Sequence, residues 1–290
     1  MRSRWPTWKN ALAAQTVPKT VGVLVYDLAA YLGDTREARQ LVAALLDRPR
    51  SWPTLHAGEP ASPDTVMRAH EAARKLRGGA PLAYAVGRAA FRHLTLNVDE
   101  RVLIPRPETE VLVDLVLAQR RTGTVIDLGT GSGAIALALA TEGTFDRVIG
   151  TDISLDALAV AATNVSTLVE LRQGSWLAPV MGERAEAIVS NPPYISYDDA
   201  LDASVRDWEP PVALLAADGG MAAIREIVRG APTVLDIGGL LALEVDARRA
   251  SLAAELVMSD GRYVECQVRL DLAGRERFVL ARYIGSHDDS

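Results

Sequence analysis

The stretch "VIDLGTGSGAIALALA" (residues 125–140) decides the fold. An apolar run of strand character ends at Gly129, glycines recur at Gly131 and Gly133, and an Ala/Ile/Leu run of helical character follows at once. Strand, glycine turn and helix make one unit of an α/β sheet. Glycines let the chain turn tightly and let a ligand approach without Cβ obstruction, at Gly129, Thr130, Gly131, Ser132 and Gly133. The start of the next helix offers free N–H groups and the positive end of its dipole. Asp152 stands 23 residues beyond Gly129 (152 − 129), at the end of a second strand-like run, "RVIGTDI" (147–153). A carboxylate there can accept both hydroxyls of a ribose, so the two motifs together point to a nucleoside-containing ligand.

Which nucleoside is not settled by the glycines. Gly129-x-Gly131-x-x-Ala134 also fits the dinucleotide fingerprint, which keeps a nicotinamide dinucleotide as a rival. Asp127, inside the strand end, argues against it. A carboxylate there would face a pyrophosphate poorly but can help receive the cationic amino-acid end of S-adenosylmethionine. A second argument comes from "SNPPYI" (190–195) at the end of another buried strand, for which a nicotinamide enzyme has no evident use.

Outward from the glycine loop, strand and helix patterns alternate. "PETEVLVDLVLAQR" reads as a helix before the loop. Strands "LVELRQ" and "AEAIVSN" come after the helix "LDALAVAATNV", then a loop, a helix near 220–230, the strand "GGLLALEVD" (238–246) and a helix near 247–259. "YVECQVRLDL" and "ERFVLARYI" close the pattern with no helix between them, so they read as an antiparallel edge hairpin. The expected fold class is α/β: doubly wound, mostly parallel, with seven strands and an antiparallel edge hairpin. Upstream, "FRHLTLNVDERVLIP" (91–105) alternates in polarity and reads as a β-hairpin turning near Asn97 to Asp99. Before it, residues 21–77 are helical in pattern. Ala38, Leu41, Val42 and Leu45 form an apolar stripe, and Ser62-Pro63-Asp64 makes a helix start.

Composition narrows the class. The chain has 290 residues, 49% hydrophobic and 23% charged, with a net charge of −6. That is a globular composition, and no basic surplus points to bulk nucleic-acid binding. A single cysteine, Cys266, rules out an internal disulfide and suits a reducing compartment. No apolar run reaches the roughly 18 residues of a membrane span. The basic start Met1–Pro6 has no apolar segment after it, so neither a signal peptide nor a membrane partner is expected, and a cytoplasmic location is. His56, His70, His93 and His287 share no metal-ligand spacing, and no metal is expected.

Asn191-Pro192-Pro193-Tyr194 has a plain reading as a strand terminator, since proline cannot donate to a sheet ladder. In a doubly wound sheet, however, ligands lie across the carboxyl ends of the strands, where Gly129, Asp152 and Asn191 should converge. An amide nitrogen is a poor nucleophile because its lone pair is delocalised. The Asn191 oxygen and the Pro192 carbonyl, the latter held by the proline ring, could grip its two hydrogens while the Tyr194 ring pins the planar group. Asn191, Pro192 and Tyr194 are therefore the candidate catalytic residues. With Pro193 they are also the candidate substrate clamp.

With these motifs the chain resembles the class I S-adenosylmethionine-dependent methyltransferases. Within them it resembles the peptide chain release factor glutamine N5-methyltransferases. The likeness covers about residues 30–284 and rests on "LIPRPETE" (103–110), "DLGTGSGAIALALA", "SNPPYI", "EPPVALLAADGG" (209–220) and "RFVLARY" (277–283). It implies S-adenosylmethionine as cofactor, held by Asp127, Gly129–Gly133, Asp152, Trp176 and Asn191. It implies a glutamine held by Asn191–Tyr194 with Arg106 beside it. The implied domains are a helical substrate-docking domain at 1–86, a linking hairpin at 87–104 and a methyltransferase domain at 105–290. The target would be the Gly-Gly-Gln loop of release factors, approached by a monomer with no stable nucleic-acid partner.

Three other outcomes stay open at this level: a glutamine in a ribosomal protein, an amino group on a DNA or RNA base, and a methyltransferase-like module without turnover. Ser175 stands where the family commonly has Asp before Trp176, and Asp246 and Arg249 replace a Gly and a Gln. The loop after Glu244 is therefore expected to differ in shape. Glu209 and Asp218 in the loop after the clamp are weaker candidates for positioning substrate.

Overall fold

The computed structural model describes residues 19–285. Met1–Pro6, His287 and the acidic tail lie outside the described residues. The chain divides into two compact units between Val86 and Gly87.

The first unit is helical. Helices Val21–Leu32, Thr35–Leu45 and Pro63–Arg77 are capped by Thr20, Asp34 and Ser62, whose side-chain oxygens accept N–H groups of the first turn. The Ala38, Leu41, Val42 and Leu45 stripe is buried as the periodicity requires, packed with Leu24, Leu28 and Ala69.

The second unit opens with an antiparallel hairpin, β1 (Arg88–Phe91) and β2 (Leu94–Asn97). Its turn lies at Arg92-His93, not near Asn97 to Asp99 as the alternation suggested. Arg92 takes a positive φ of 54° there. Tertiary ion pairs to Asp114 at 2.7 Å and Glu142 at 2.6 Å hold it. A turn held by distant carboxylates carries no local glycine or asparagine signal.

Seven further strands form one sheet: β3 (Thr124–Leu128), β4 (Arg147–Asp152), β5 (Glu170–Gln173), β6 (Ala185–Ser190), β7 (Leu235–Glu244), β8 (Tyr263–Leu270) and β9 (Glu276–Tyr283). Their order is β5-β4-β3-β6-β7-β9-β8. The β3–β7 pairs are parallel, and β9 is antiparallel to both β7 and β8. The expected doubly wound sheet with an antiparallel edge hairpin is what the chain adopts. Strand β7 begins earlier than its sequence suggested, because Gly238-Gly239 forms an irregularity within the strand rather than its start. Between Ala185↔Leu235 and Ala187↔Leu240 the register shifts.

Buried Ile126, Leu128, Ile149, Ile188, Leu241 and Leu243 make the sheet's core. The chain order reverses between β3 and β6, where Leu128 pairs with Ser190. The Ser190 hydroxyl donates to the Leu128 carbonyl at 2.6 Å, locking the two strand ends together. Gly129 and Asn191 therefore emerge side by side at the topological switch point, the place where such sheets bind ligands.

Candidate functional site

Backbone bonds shape the glycine loop. The Thr130 N–H donates to the Thr151 carbonyl and the Gly133 N–H to the Thr130 carbonyl, each at 2.8 Å. Gly129, Gly131 and Gly133 all have positive φ (72°, 54°, 82°), which a side chain would strain. Their roles differ. A Cβ on Gly133 would lie 2.7 Å from Val165 Cγ1, so this glycine allows helix packing. A Cβ on Gly131 would meet no described atom within 4 Å and would project into open space.

That space is a cavity of about 310 Å³ with Gly129, Gly131, Asp152, Trp176, Asn191 and Pro193 among its walls. Asp152 joins β4 to the loop. Its Oδ2 accepts the Gly131 N–H and its Oδ1 the Ser154 N–H, both at 2.9 Å. Partial burial pushes its carboxyl up, and these N–H donors pull it back. Each oxygen keeps lone-pair capacity for a further donor. Trp176 holds a positive φ of 44°, unusual for a bulky residue. Its Cζ3 lies 3.6 Å from where a Gly129 Cβ would be, so the ring stands over the loop.

Asp127, Thr130, Ser132 and Gly133 sit behind this wall rather than on it. Asp127 is fully buried and accepts the Thr130 hydroxyl at 2.6 Å and the Ala136 N–H at 3.2 Å on Oδ2. Its Oδ1 has no hydrogen-bond partner among the described residues. Burial pushes this carboxyl up to about 7.

A second cavity, of about 290 Å³, has Arg106, Asn191, Pro192, Pro193 and Tyr194 on its walls. It shares Leu103, Asn191, Pro193 and Ala213 with the first. Arg106 is tied down by Glu209, Nη2 to Oε1 at 2.6 Å, and Glu209 is only 3% exposed. Glu209 thus anchors an arginine, while Asp218 closes its own loop on Arg225 at 2.6 Å. Burial pushes the Tyr194 phenol up to about 12, and its oxygen lies 3.5 Å from Arg277 Nη1.

Asn191 Nδ2 donates to Thr109 Oγ1 at 3.2 Å, which leaves Asn191 Oδ1 as the free acceptor. Thr109 lies in the first turn of helix Pro107–Gln119. Glu244 ends β7 at 1% exposure, and burial pushes its carboxyl up to about 7, with the Thr109 hydroxyl and Arg277 pulling it back.

Sequence reasoning gave no role to Thr109 or Glu244, yet both carried a signal. Thr109 shares the buried i, i+3, i+4, i+7 stripe of Leu112, Val113 and Val116, and Glu244 ends an otherwise apolar strand. The Asp246 and Arg249 positions also prove structural. Arg249 is buried and reaches Asp199 at 2.7 Å and the Gly219 carbonyl at 2.5 Å. It ties the segment after the clamp to the loop before helix Ala222–Gly230. Among the described residues no group of three or more His, Cys, Asp or Glu side chains is placed to hold a metal ion.

Residues 107–207 match the family model described as the methyltransferase small domain. A methyltransferase from Pyrococcus furiosus shares the fold, with a TM-score of 0.52 at 18% identity over 68% of this chain and 92% of that one. The release factor glutamine methyltransferase of Moorella thermoacetica is 41% identical, over 82% of this chain and 87% of the relative. That of Cereibacter sphaeroides is 41% identical over 254 residues, 85% of this chain and 90% of the relative. Likeness of that extent, on a sheet whose switch point carries the two adjoining cavities, means that the chain belongs to the release factor glutamine methyltransferase family.

Proposed function

We propose that the chain transfers the methyl group of S-adenosylmethionine to the side-chain amide nitrogen of a glutamine in a peptide chain release factor. The observation that carries this reading is the position of Asn191 on the walls of both cavities, with its amide nitrogen turned away onto Thr109. The first cavity fits the cofactor. A Cβ on Gly131 would project into this space, and the half-buried Asp152 carboxylate on the wall has acceptor capacity for a ribose. Trp176 offers a flat apolar surface, and Asp127 supports the loop from behind through Thr130 and Ala136.

When bound, S-adenosylmethionine supplies an electrophilic methyl group. The chain's own residues then have to hold and aim a planar amide. Asn191 Oδ1 and the Pro192 carbonyl accept its two hydrogens, Pro193 stiffens the turn, and the Tyr194 ring covers one face. Arg106, fixed by Glu209, lines the entry to the clamp. Aligning the nitrogen and excluding water carry most of the barrier reduction, so no strong base is needed beside it.

The helical unit before Gly87 is proposed to dock the protein substrate, with the enzyme acting as a cytoplasmic monomer. The net charge of −6 supports the lack of a stable nucleic-acid partner. No helix among the described residues is long and apolar enough to cross a membrane.

The test is incubation with methyl-labelled S-adenosylmethionine and, separately, a release factor, ribosomal protein or DNA. Label in the release factor that disappears when its Gly-Gly-Gln glutamine is replaced by alanine is expected. Label only in ribosomal protein or DNA overturns the assignment.

A further inference from the structure

Resting on the glutamine-amide reading above, we infer that Arg249 and Asp199 form a latch that fixes the outer wall of the second cavity. They are positioning residues for the stretch of protein substrate that flanks the target glutamine.

The second cavity has two unlike sides. One is the strand end Asn191–Tyr194 with Leu103 and Arg106. The other is Ala200, Leu201, Asp202 and Val205, from the segment that follows the clamp. No residue from Ser196 to Arg206 is buried, and apart from the short helix Ala203–Arg206 the segment has no helix or strand. Apolar packing therefore does not hold this side, and polar bonds have to offset the entropy of keeping it in one place.

Ile195 is still tied to the fold: its N–H donates to the Leu214 carbonyl at 3.0 Å, and its carbonyl accepts the Ala216 N–H at 2.8 Å. Beyond it the long-range bonds converge on Asp199. Its Oδ2 accepts the Ser196 N–H at 3.0 Å and Arg249 Nη2 at 2.7 Å, and its Oδ1 accepts Arg248 Nη1 at 3.0 Å. The two arginines are not equivalent. The Arg248 side chain is 62% exposed, that of Arg249 only 9%. An ion pair in water contributes little, whereas a buried charge that loses its partner is left uncompensated. Arg249 is also anchored from behind, where its Nε donates to the Gly219 carbonyl at 2.5 Å. A Cβ on Gly220 would collide with both that Nε and the Tyr194 carbonyl oxygen. One crowded contact thus joins the last clamp residue, the Gly219-Gly220 turn and Arg249. Arg249 passes the position on to Asp199, one residue before the outer wall begins. None of Ala200, Leu201, Asp202 and Val205 is on the wall of the first cavity, so the latch acts on the protein substrate and not on the cofactor.

The test uses the full-length enzyme with methyl-labelled S-adenosylmethionine and intact release factor, reading kcat, KM and cofactor affinity. Chymotrypsin cleavage after Tyr197, which is 70% exposed within the latched segment, reports the segment directly. Arg249→Met keeps the apolar stem and removes the guanidinium, and Asp199→Asn removes the charge and keeps the shape. Each should raise KM for release factor about tenfold, the scale of one lost charge-assisted bond, with kcat and cofactor affinity within about twofold of wild type. Cleavage at Tyr197 should be faster in both. Arg249→Lys, able to reach Asp199 or the Gly219 carbonyl but not both, should fall between. The double variant should be no worse than Arg249→Met alone, because both changes act through one bond. Arg248→Gln, at the exposed pair, should leave KM and cleavage near wild type. Asp199→Asn carries the test if Arg249→Met does not fold.

An unchanged KM for release factor in the folded variants, or a loss of cofactor affinity as large as the rise in KM, overturns the inference while the methylation reading stands. So does an additive rise in the double variant or an equal rise in Arg248→Gln. A wild-type enzyme that labels no glutamine overturns both.

Discussion

The two halves of the site are built differently. The glycine-loop half is made of backbone and short-range bonds: Thr130 to Asp127 spans three positions, and Gly131 to Asp152 spans 21. The clamp half is made of side chains brought from far apart. Asn191 to Thr109 spans 82 positions, Tyr194 to Arg277 spans 83, and Arg106 to Glu209 spans 103. One half offers a ligand N–H groups, empty volume and one carboxylate. The other offers fixed acceptors held by buried charge. If the glycine-loop half binds the cofactor and the other half aims the amide, as proposed, variants should pull binding and chemistry apart.

The largest effect is expected from Asn191→Ala. Deleting the acceptor should lower kcat by about 100-fold or more, comparable to losing one preorganised polar group in an active site. Cofactor affinity by calorimetry should stay within a few-fold. A parallel collapse of affinity would mean that the two halves are one. Next, Gly131→Val should abolish measurable cofactor binding, since its Cβ enters the open cavity from a strained positive φ. Gly133→Ala makes the contrast, because its Cβ strikes Val165 and the main loss should be in thermal stability. Asp152→Ala removes two ribose acceptors at about 0.5–1.5 kcal/mol each, so the dissociation constant should rise about tenfold. Equal affinity in this variant would remove Asp152 from the cofactor site.

The smallest effect concerns pH and compares the buried carboxyl beneath each half. Asp127 and Glu244 are both pushed up by burial to about 7. Thr130, the Ala136 N–H and Asp152 face the first; Thr109, Arg277, Glu108 and Arg106 act on the second. A carboxyl raised in the folded state binds more protons there than in the unfolded chain. Its contribution to stability is therefore present below the ordinary carboxyl range and is lost as pH rises towards 7. Glu183 and Asp271, lowered to about 2 by their arginine and N–H partners, act oppositely and only in acid below that range. Thermal unfolding from pH 5 to 7 should show a flatter slope in both Asp127→Asn and Glu244→Gln. A slope unchanged in either variant would mean that its carboxyl is not raised by burial.

How far the sequence could be read follows the same division. The Gly129–Gly133 turn and Asp152 were readable because their geometry is local: a strand end, positive-φ glycines and a carboxylate one βα unit later. The Asn191–Tyr194 turn was readable as a rigid strand end at the site because prolines constrain their neighbours. Thr109 was not given a role, since an 82-residue separation leaves no spacing rule to connect it with Asn191. The β1–β2 turn failed for the same reason: Arg92 is held by Asp114 and Glu142, not by its neighbours. Asp127 was read in the right place, but facing the ligand rather than propping the loop from behind. Strand burial distinguishes the two positions, and sequence alone does not.

Leu103, Asn191, Pro193 and Ala213 belong to the walls of both cavities. A shared partition makes the two ligands thermodynamic neighbours. Any adjustment of Asn191 or Pro193 that one ligand induces is felt by the other, and linkage requires the same factor in both directions. Release factor affinity measured with and without the demethylated cofactor should therefore change by the factor by which release factor changes cofactor affinity. Whatever coupling that measurement finds has one wall to pass through, four residues thick at most.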